Sequence, residues 1–69
     1  MTRNEFDLLY AIKNNGKKSV RELSELSGTS TGFVSEKLRA FEEQGLVDEH
    51  GITDGGVDAL APYKVRNAI

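Results

Sequence analysis

Apolar residues recur every three or four positions in three successive segments of the chain, which is the spacing of amphipathic helices. The first helix is predicted over residues 3–15. At its start, Thr2 and Glu5 have the spacing of a capping box, in which the hydroxyl oxygen and the carboxylate each accept a hydrogen bond from a free backbone N–H group. Two asparagines and Gly16 end the helix, because glycine tolerates the left-handed conformation that often closes one.

A second and a third helix are predicted on either side of a three-residue turn. The second begins at Ser19, again with a glutamate three positions later, and Gly28 ends it after about two turns. Ser30 caps the third helix, which covers residues 30–44 and stops at Gly45. The apolar residues on the inner faces of the three helices, with one beyond them, form the predicted core: Phe6, Leu9, Leu23, Leu26, Val34, Leu38, Phe41 and Leu46.

After the third helix the helical period gives way to a short hairpin. Residues 46–47 predict a strand, residues 48–51 a tight turn, and Ile52 the return strand. The turn carries two acidic residues and a histidine. A hairpin in this place is typical of the wing of a winged helix.

A fourth helix is predicted behind the hairpin. Thr53 or Asp54 caps it, Val57 and Leu60 face inward, and Pro62 closes it. The order of elements is helix, helix, helix, hairpin, helix. The predicted fold class is therefore mainly α with a small β-hairpin, a winged helix-turn-helix with a three-helix core, a short wing and a C-terminal helix.

Length and composition limit the chain to one small domain. Its 69 residues contain no cysteine, which excludes disulfides and thiolate metal sites. The N-terminal residues lack the apolar stretch of a signal peptide, and no apolar run is long enough to span a membrane, so a cytoplasmic location without membrane association is expected. No pair of nucleophile and base stands out, and we expect no catalytic site and no cofactor.

Charge is distributed unevenly around a net value of −2. Residues 1–18 carry four basic and two acidic residues, whereas acidic residues outnumber basic ones in residues 19–45 and in residues 46–69. Domains that bind nucleic acid usually carry a basic face. The charge balance therefore counts against tight DNA binding, although not against the fold.

Three motifs in the right order resemble the winged helix-turn-helix of bacterial regulators of the MarR (multiple-antibiotic-resistance) type. They are the glycine- and serine-containing run from Leu23 to Leu38, the segment Phe41-Glu-Glu-Gln-Gly-Leu-Val47, and the segment Ile52-Thr-Asp-Gly-Gly-Val-Asp-Ala-Leu60. The resemblance covers residues 19–60 and implies a DNA-binding function.

The resemblance implies that the helix at residues 30–44 enters the major groove of double-stranded DNA and that the residues after its capping serine face the bases. Two lysines before the second helix would hold the phosphate backbone, although an ordinary solvated turn explains them equally well. The residues expected to contact DNA are Lys17, Lys18, Ser30, Thr31, Gly32, Phe33, Ser35, Lys37 and Arg39.

Three features depart from the pattern of such regulators. Phe33 stands where a polar residue is common; it would touch a thymine methyl group or another protein. Glu36 can accept a hydrogen bond from the N4 amine of cytosine but also repels phosphate. The turn at residues 48–51 is short and acidic where DNA-reading wings are often long and basic, and its His50 lacks the further ligands that a metal site requires. A solvated or protein-docking face therefore remains the alternative to a DNA-reading one.

The C-terminal end resembles a different family. Residues 62–69 look like the lead-in to a bacterial sugar-phosphate or choline-phosphate nucleotidyltransferase, some of which carry a winged helix in front of their first strand. The resemblance implies a winged-helix domain at residues 1–62 and a linker or the start of a following domain at residues 63–69. On this alternative, the module regulates an attached nucleotidyltransferase domain, with little or no DNA binding. A weak homodimer is a further expected partner state.

Overall fold

A computed structural model describes residues 1–62 of the chain. Their secondary structure follows the predicted order of three helices, a hairpin and a fourth helix. The elements are α1 (Arg3–Asn15), α2 (Val20–Ser27), α3 (Thr31–Glu43), β1 (Val47–Asp48), β2 (Gly51–Ile52) and α4 (Asp54–Ala59). The predicted winged helix-turn-helix fold is confirmed. The expected linker at residues 63–69 lies outside the described residues.

Two hydroxyl-bearing residues cap the first two helices as predicted. The Thr2 hydroxyl accepts from the N–H of Glu5, and the Glu5 carboxylate accepts from the N–H of Thr2 at 2.9 Å, so the capping box is complete. At α2 only half of the box forms. Ser19 accepts from the N–H of Glu22 at 3.2 Å, but the Glu22 carboxylate accepts from the Ser19 hydroxyl and not from its backbone.

The core lies where α1 meets α2, α3 and the hairpin. Leu8, Leu23 and Val34, one from each helix, have no exposed surface. Phe6 and Leu46, which were predicted in the core, are partly buried and packed against it. The buried apolar cluster consists of Leu8, Leu9, Ile12, Leu23, Val34, Leu38, Phe41, Val47 and Leu60.

Two residues that were expected to face inward are exposed. Leu26 is 51% exposed because it lies in the last turn of the short helix α2, at the edge of an open groove between α1 and α2. Val57 is 42% exposed because α4 turns Gly56 and Leu60, four positions apart, toward the hairpin and the core. The predictions for Leu26 and Val57 are therefore wrong.

Both strands of the hairpin begin one residue away from the predicted positions: β1 begins at Val47 and not at Leu46, and β2 begins at Gly51, which was predicted in the turn. Val47 pairs with Ile52 and Asp48 with Gly51 in an antiparallel ladder. Leu46 lies next to the ladder: its N–H donates to the carbonyl oxygen of Phe41 at 2.8 Å, at the end of α3, and its carbonyl oxygen accepts from the N–H of Thr53 at 3.0 Å.

Thr53, and not Asp54, caps α4. Its hydroxyl oxygen accepts from the N–H of Gly56 at 3.0 Å and its hydroxyl hydrogen is donated to the carbonyl oxygen of Gly45 at 2.6 Å. Thr53 thus ties α4 to the end of α3. The helix ends at Ala59, three residues before Pro62, which was expected to close it. Within residues 1–62, no helix combines the length and the apolar character needed to cross a membrane.

Candidate nucleic-acid interface

The turn between α2 and α3 is held by a hydroxyl group as well as by a glycine. Gly28 adopts the left-handed conformation, with a φ of 70°. The Ser24 hydroxyl donates to the carbonyl oxygen of Thr29 at 2.5 Å, and the N–H of Thr29 donates to the carbonyl oxygen of Ser24 at 3.1 Å. These two bonds close the turn, so that α3 leaves α2 in a defined direction.

Two further hydroxyl groups, those of Ser27 and Thr29, reinforce this turn. Ser27 donates to the carbonyl oxygen of Leu23 at 2.6 Å, which uses its one hydroxyl hydrogen, because a carbonyl oxygen only accepts. The 2.7 Å contact between the Ser27 and Thr29 hydroxyls is therefore donated by Thr29. Two serines of α2 thus hold the chain at the entry to α3.

One side of α3 is left uncovered because the opposite side is packed into the core. Val34, Leu38 and Phe41 are buried. At 100° per residue, the exposed residues on the other side span an arc of about 140°. We call this exposed set the α3 ridge, and its members are Thr31, Gly32, Ser35, Glu36 and Arg39.

Ser30 stands at the head of the ridge. It is exposed, and its hydroxyl oxygen accepts from the N–H of Phe33 at 3.1 Å, which confirms it as the cap of α3. The cap uses a lone pair and leaves the hydroxyl hydrogen free to donate elsewhere.

Phe33 and Lys37 lie on a different side of α3 from the ridge. Phe33 is partly buried against the core, and the Lys37 ammonium lies 5.7 Å from the centroid of its ring. The same ammonium lies 3.8 Å from the Glu5 carboxylate at the start of α1. Lys37 is therefore directed toward α1 and does not project from the ridge with Thr31 and Ser35.

The Glu5 carboxylate is the centre of this small polar cluster. Hydrogen bonds from the backbone N–H and hydroxyl of Thr2 lower the pKa of Glu5 below its ordinary value of 4.5, and the charges of Lys37 and the N-terminal amine lower it further, against a smaller opposing effect of burial. Glu5 is therefore held in its charged form at neutral pH, with Lys37 as its counter-ion.

Lys17 and Lys18 lie in the loop between α1 and α2. The Lys17 ammonium lies 3.2 Å from the Glu42 carboxylate near the end of α3, whereas Lys18 is exposed and has no ion pair with a described residue. The hairpin touches this loop, because a Cβ atom added to Gly51 would lie 3.6 Å from the Lys17 backbone nitrogen and 3.7 Å from the Gly16 Cα atom. The loop, the hairpin and the end of α3 thus lie together.

Charges on the ridge are only loosely paired. Arg39 lies 3.8 Å from Glu43, but both side chains are largely exposed, and a pair of this kind contributes at most about 1 kcal/mol. Arg39 can therefore exchange Glu43 for a phosphate group at little cost. Glu36 has no ion-pair partner among residues 1–62.

The tip of the hairpin is held by the acidic residues that form it. The N–H of His50 donates to the Asp48 carboxylate at 2.8 Å, and the His50 ring lies 3.5 Å from the Glu49 carboxylate in full contact with solvent. Within the part of the chain that the structure describes, no three such side chains gather as a metal site would require.

Comparison with protein families decides the family. The model of the MarR family matches residues 1–55, which is most of the chain and includes every element up to the start of α4. The chain belongs to the MarR family. No curated protein and no solved structure gave a match.

In this MarR-family chain the predicted contact residues fall into three places. The first place is the ridge with its cap, the second is the side of α3 that faces α1, and the third is the loop before α2. Phe33 and Lys37 lie on the side of α3 that faces α1, and Lys17 and Lys18 lie in the loop before α2. The remaining residues lie together on the ridge and its cap: Ser30, Thr31, Gly32, Ser35 and Arg39.

Sequence reasoning did not find the two carboxylates that hold lysines of this MarR-family domain. Glu5 and Lys37 are far apart in the sequence, as are Lys17 and Glu42, and no local spacing reveals either pair. Ser24 was also missed, although serine is a residue type whose hydroxyl often bonds to nearby backbone groups.

Proposed function

We propose that the chain binds double-stranded DNA in the manner of a transcription regulator in the cytoplasm, with the α3 ridge in the major groove. The observation that carries the proposal is that the first two turns of α3 remain uncovered on one side while the other side anchors the helix in the core. An α-helix with its side chains is about 10–12 Å across, and the major groove is about 12 Å wide.

The ridge carries the chemistry that such docking requires. Thr31 and Ser35 are exposed and one helical turn apart, and a hydroxyl can both donate to and accept from base edges. Arg39 follows one turn later, where the helix would reach the phosphate backbone. Ser30 has a free hydroxyl hydrogen at the head of the helix.

Cations outside the ridge supply the contacts to the backbone. Lys18 is exposed beside the hairpin, and Lys17 would contact phosphate after releasing Glu42. Lys37 would do so beside Phe33 after releasing Glu5. Since two of these lysines are already paired, one copy neutralises few phosphates, and a homodimer that doubles the contacts is the form expected to bind well.

The test is an anisotropy titration of a fluorescent DNA duplex at several salt concentrations. We expect binding that weakens steeply with salt, and a salt slope that falls by about 0.9 for each lost phosphate contact in Arg39→Gln and Lys18→Gln. Arg3→Gln is the matched control, because it removes one positive charge from the Asp7 side of α1, away from the ridge. Equal loss of affinity in all three variants would show that only net charge matters and would refute the assigned interface.

A second candidate function is regulation of an attached nucleotidyltransferase domain, with residues 63–69 as a linker to that domain or as its start after the winged helix at residues 1–62. The exposed carboxylates of Asp48 and Glu49 favour it, because they would meet phosphate oxygens unfavourably, as does the exposed Leu26. This candidate predicts no DNA binding at physiological salt. It also predicts that deleting residues 1–62 from a longer parent protein changes the stability or the turnover of the enzyme.

A further inference from the structure

Gly32 has no explanation within the folded domain. It lies in the first turn of α3, and its backbone is ordinary helix because its φ angle is not positive. A Cβ atom added there would meet nothing within 4 Å. Glycine is a poor helix former, so a helix that needs neither its flexibility nor its small size would be expected to carry another residue.

Glycine in such a place allows another molecule to approach the backbone closely. Gly32 lies within the α3 ridge, between the exposed Arg39 and Glu36 in projection down the helix axis. The space beside it opens to solvent and not to another element. The chain therefore offers a shallow notch in the surface that the proposed function places against DNA.

Glu36 is the residue that borders this notch. It follows Gly32 by one helical turn, and side chains of a helix lean toward its N-terminus, over the preceding turn. The absence of a side chain at Gly32 leaves room for the Glu36 carboxylate to lie in the notch. Among the carboxylates of α3, Glu42 and Glu43 each have a basic partner, whereas Glu36 has none within residues 1–62.

An unpaired carboxylate on a surface that meets DNA is unfavourable near phosphates and favourable near an amine. In the major groove the edge of a G·C pair presents the N4 amine of cytosine, which donates to a carboxylate, and the O6 and N7 atoms of guanine, which only accept. Adenine offers an N6 amine, but N7 beside it is an acceptor that repels a carboxylate.

We infer that Glu36 determines specificity in the proposed DNA complex by accepting a hydrogen bond from the N4 amine of one cytosine, and that Gly32 lets the helix come close enough for this contact. The inference rests on the proposed function. Phe33 and Lys37 lie on another side of α3 and play no part in this contact.

Selection of binding sites from a randomised duplex by the whole chain tests the inference. We expect the wild-type protein to enrich a sequence with cytosine at one fixed position and to prefer it over the other bases on the order of ten-fold. Glu36→Gln should select adenine at that position, because a glutamine amide pairs with the N6 and N7 atoms of adenine. Glu36→Ala should lose the preference there while the other positions stay as in the wild type.

Glu43→Gln is the matched control, because it removes the same charge from an exposed position of the same helix. It should leave the selected sequence unchanged. Identical sequences from the wild type, Glu36→Gln and Glu43→Gln would overturn the inference and leave DNA binding intact. Failure of every protein to retain DNA would overturn both the inference and the proposed function.

The Gly32→Ala variant tests separately whether the missing side chain at Gly32 matters for DNA binding. Alanine favours the helix and has open space at this position, so the midpoint of thermal unfolding should be unchanged or higher. Affinity for the selected site should nevertheless fall, since the added methyl group stands between the helix and the base edge. An affinity equal to that of the wild type would overturn the role of Gly32.

Discussion

The ammonium group of Lys37 lies 3.8 Å from the carboxylate of Glu5, so that the middle of α3 is joined to the first turn of α1. Both side chains are mostly covered, at 27% and 21% exposure, which distinguishes this pair from the freely exposed pairs elsewhere on the helices. Glu5 also completes the capping box of α1. Its carboxylate therefore both stabilises the start of α1 and holds the Lys37 ammonium of α3.

Acid should weaken the domain through Glu5. The folded state lowers the pKa of Glu5, chiefly through its hydrogen bonds with Thr2, so the unfolded chain takes up this proton at a higher pH than the folded chain does. The resulting stabilisation is complete above the ordinary value of 4.5 and is lost as the pH falls through the folded-state pKa. Urea unfolding at a series of pH values should show that Glu5→Gln, which keeps the cap but not the charge, is less stable than the wild type at neutral pH.

The difference between Glu5→Gln and the wild type should shrink in acid. Glu49→Gln, at the exposed tip of the hairpin, is the control and should follow the wild-type curve throughout. A constant difference between Glu5→Gln and the wild type at every pH would contradict the role given to the charge.

Two leucines of α2 should differ sharply in their effect on stability. Leu23 has no exposed surface, and Leu23→Ala should lower the free energy of unfolding by about 2–5 kcal/mol, from the lost burial and the cavity left behind. Leu26 is half exposed, and Leu26→Ala should cost less than about 1 kcal/mol. Thermal unfolding followed by circular dichroism measures both, and similar losses for the two variants would mean that Leu26 is covered in solution.

Two adjacent glycines of α4 should respond in opposite directions to a methyl group. A Cβ atom on Gly56 would overlap the carbonyl oxygen of Leu46, so Gly56→Ala should destabilise the domain by about 1–3 kcal/mol. A Cβ atom on Gly55 would lie 3.4 Å from its nearest neighbour, the carbonyl oxygen of Gly45, and Gly55→Ala should stabilise the helix by up to about 1 kcal/mol. Chemical unfolding of the pair tests this, and a neutral Gly56→Ala would show that α4 moves freely away from the hairpin.

Removing the charge of Glu42 should strengthen DNA binding if the proposed function is right. Lys17 is paired with this carboxylate at 3.2 Å, and Glu42→Gln would release its ammonium for a phosphate contact. We expect higher affinity in an anisotropy titration at low salt and a salt slope steeper by about 0.9. Glu25→Gln, on α2 and paired with Arg21, removes the same charge elsewhere and should change the slope less.

The sequence predicted the helices and turns well because the residues that set them are local. Thr2, Ser19 and Ser30 each mark a helix start within three residues, and Gly16 and Gly28 mark helix ends. Exposure was harder to predict, because Leu26 and Val57 have the correct helical spacing. Leu26 is uncovered at the end of a short helix, and Val57 is uncovered because α4 turns another side inward.

The candidate site was predicted as a set of positions but not as an arrangement. The period of α3 places Thr31 and Ser35 on the exposed side, and this much follows from Val34 and Leu38 being apolar. That Lys37 belongs to a different side, beside Glu5, depends on how α1 crosses α3. Such a crossing is a property of the whole packed core and has no signature in a short stretch of residues.

The contact of Gly51 with the backbone of Gly16 and Lys17 limits how this hairpin can change in length. Residues added at its base would push the loop and its lysines aside. Residues added between Glu49 and His50, at the exposed tip, would extend it into solvent without disturbing either. We therefore expect the domain to tolerate a longer, arginine-rich arm inserted between Glu49 and His50 better than one inserted at the base of the hairpin.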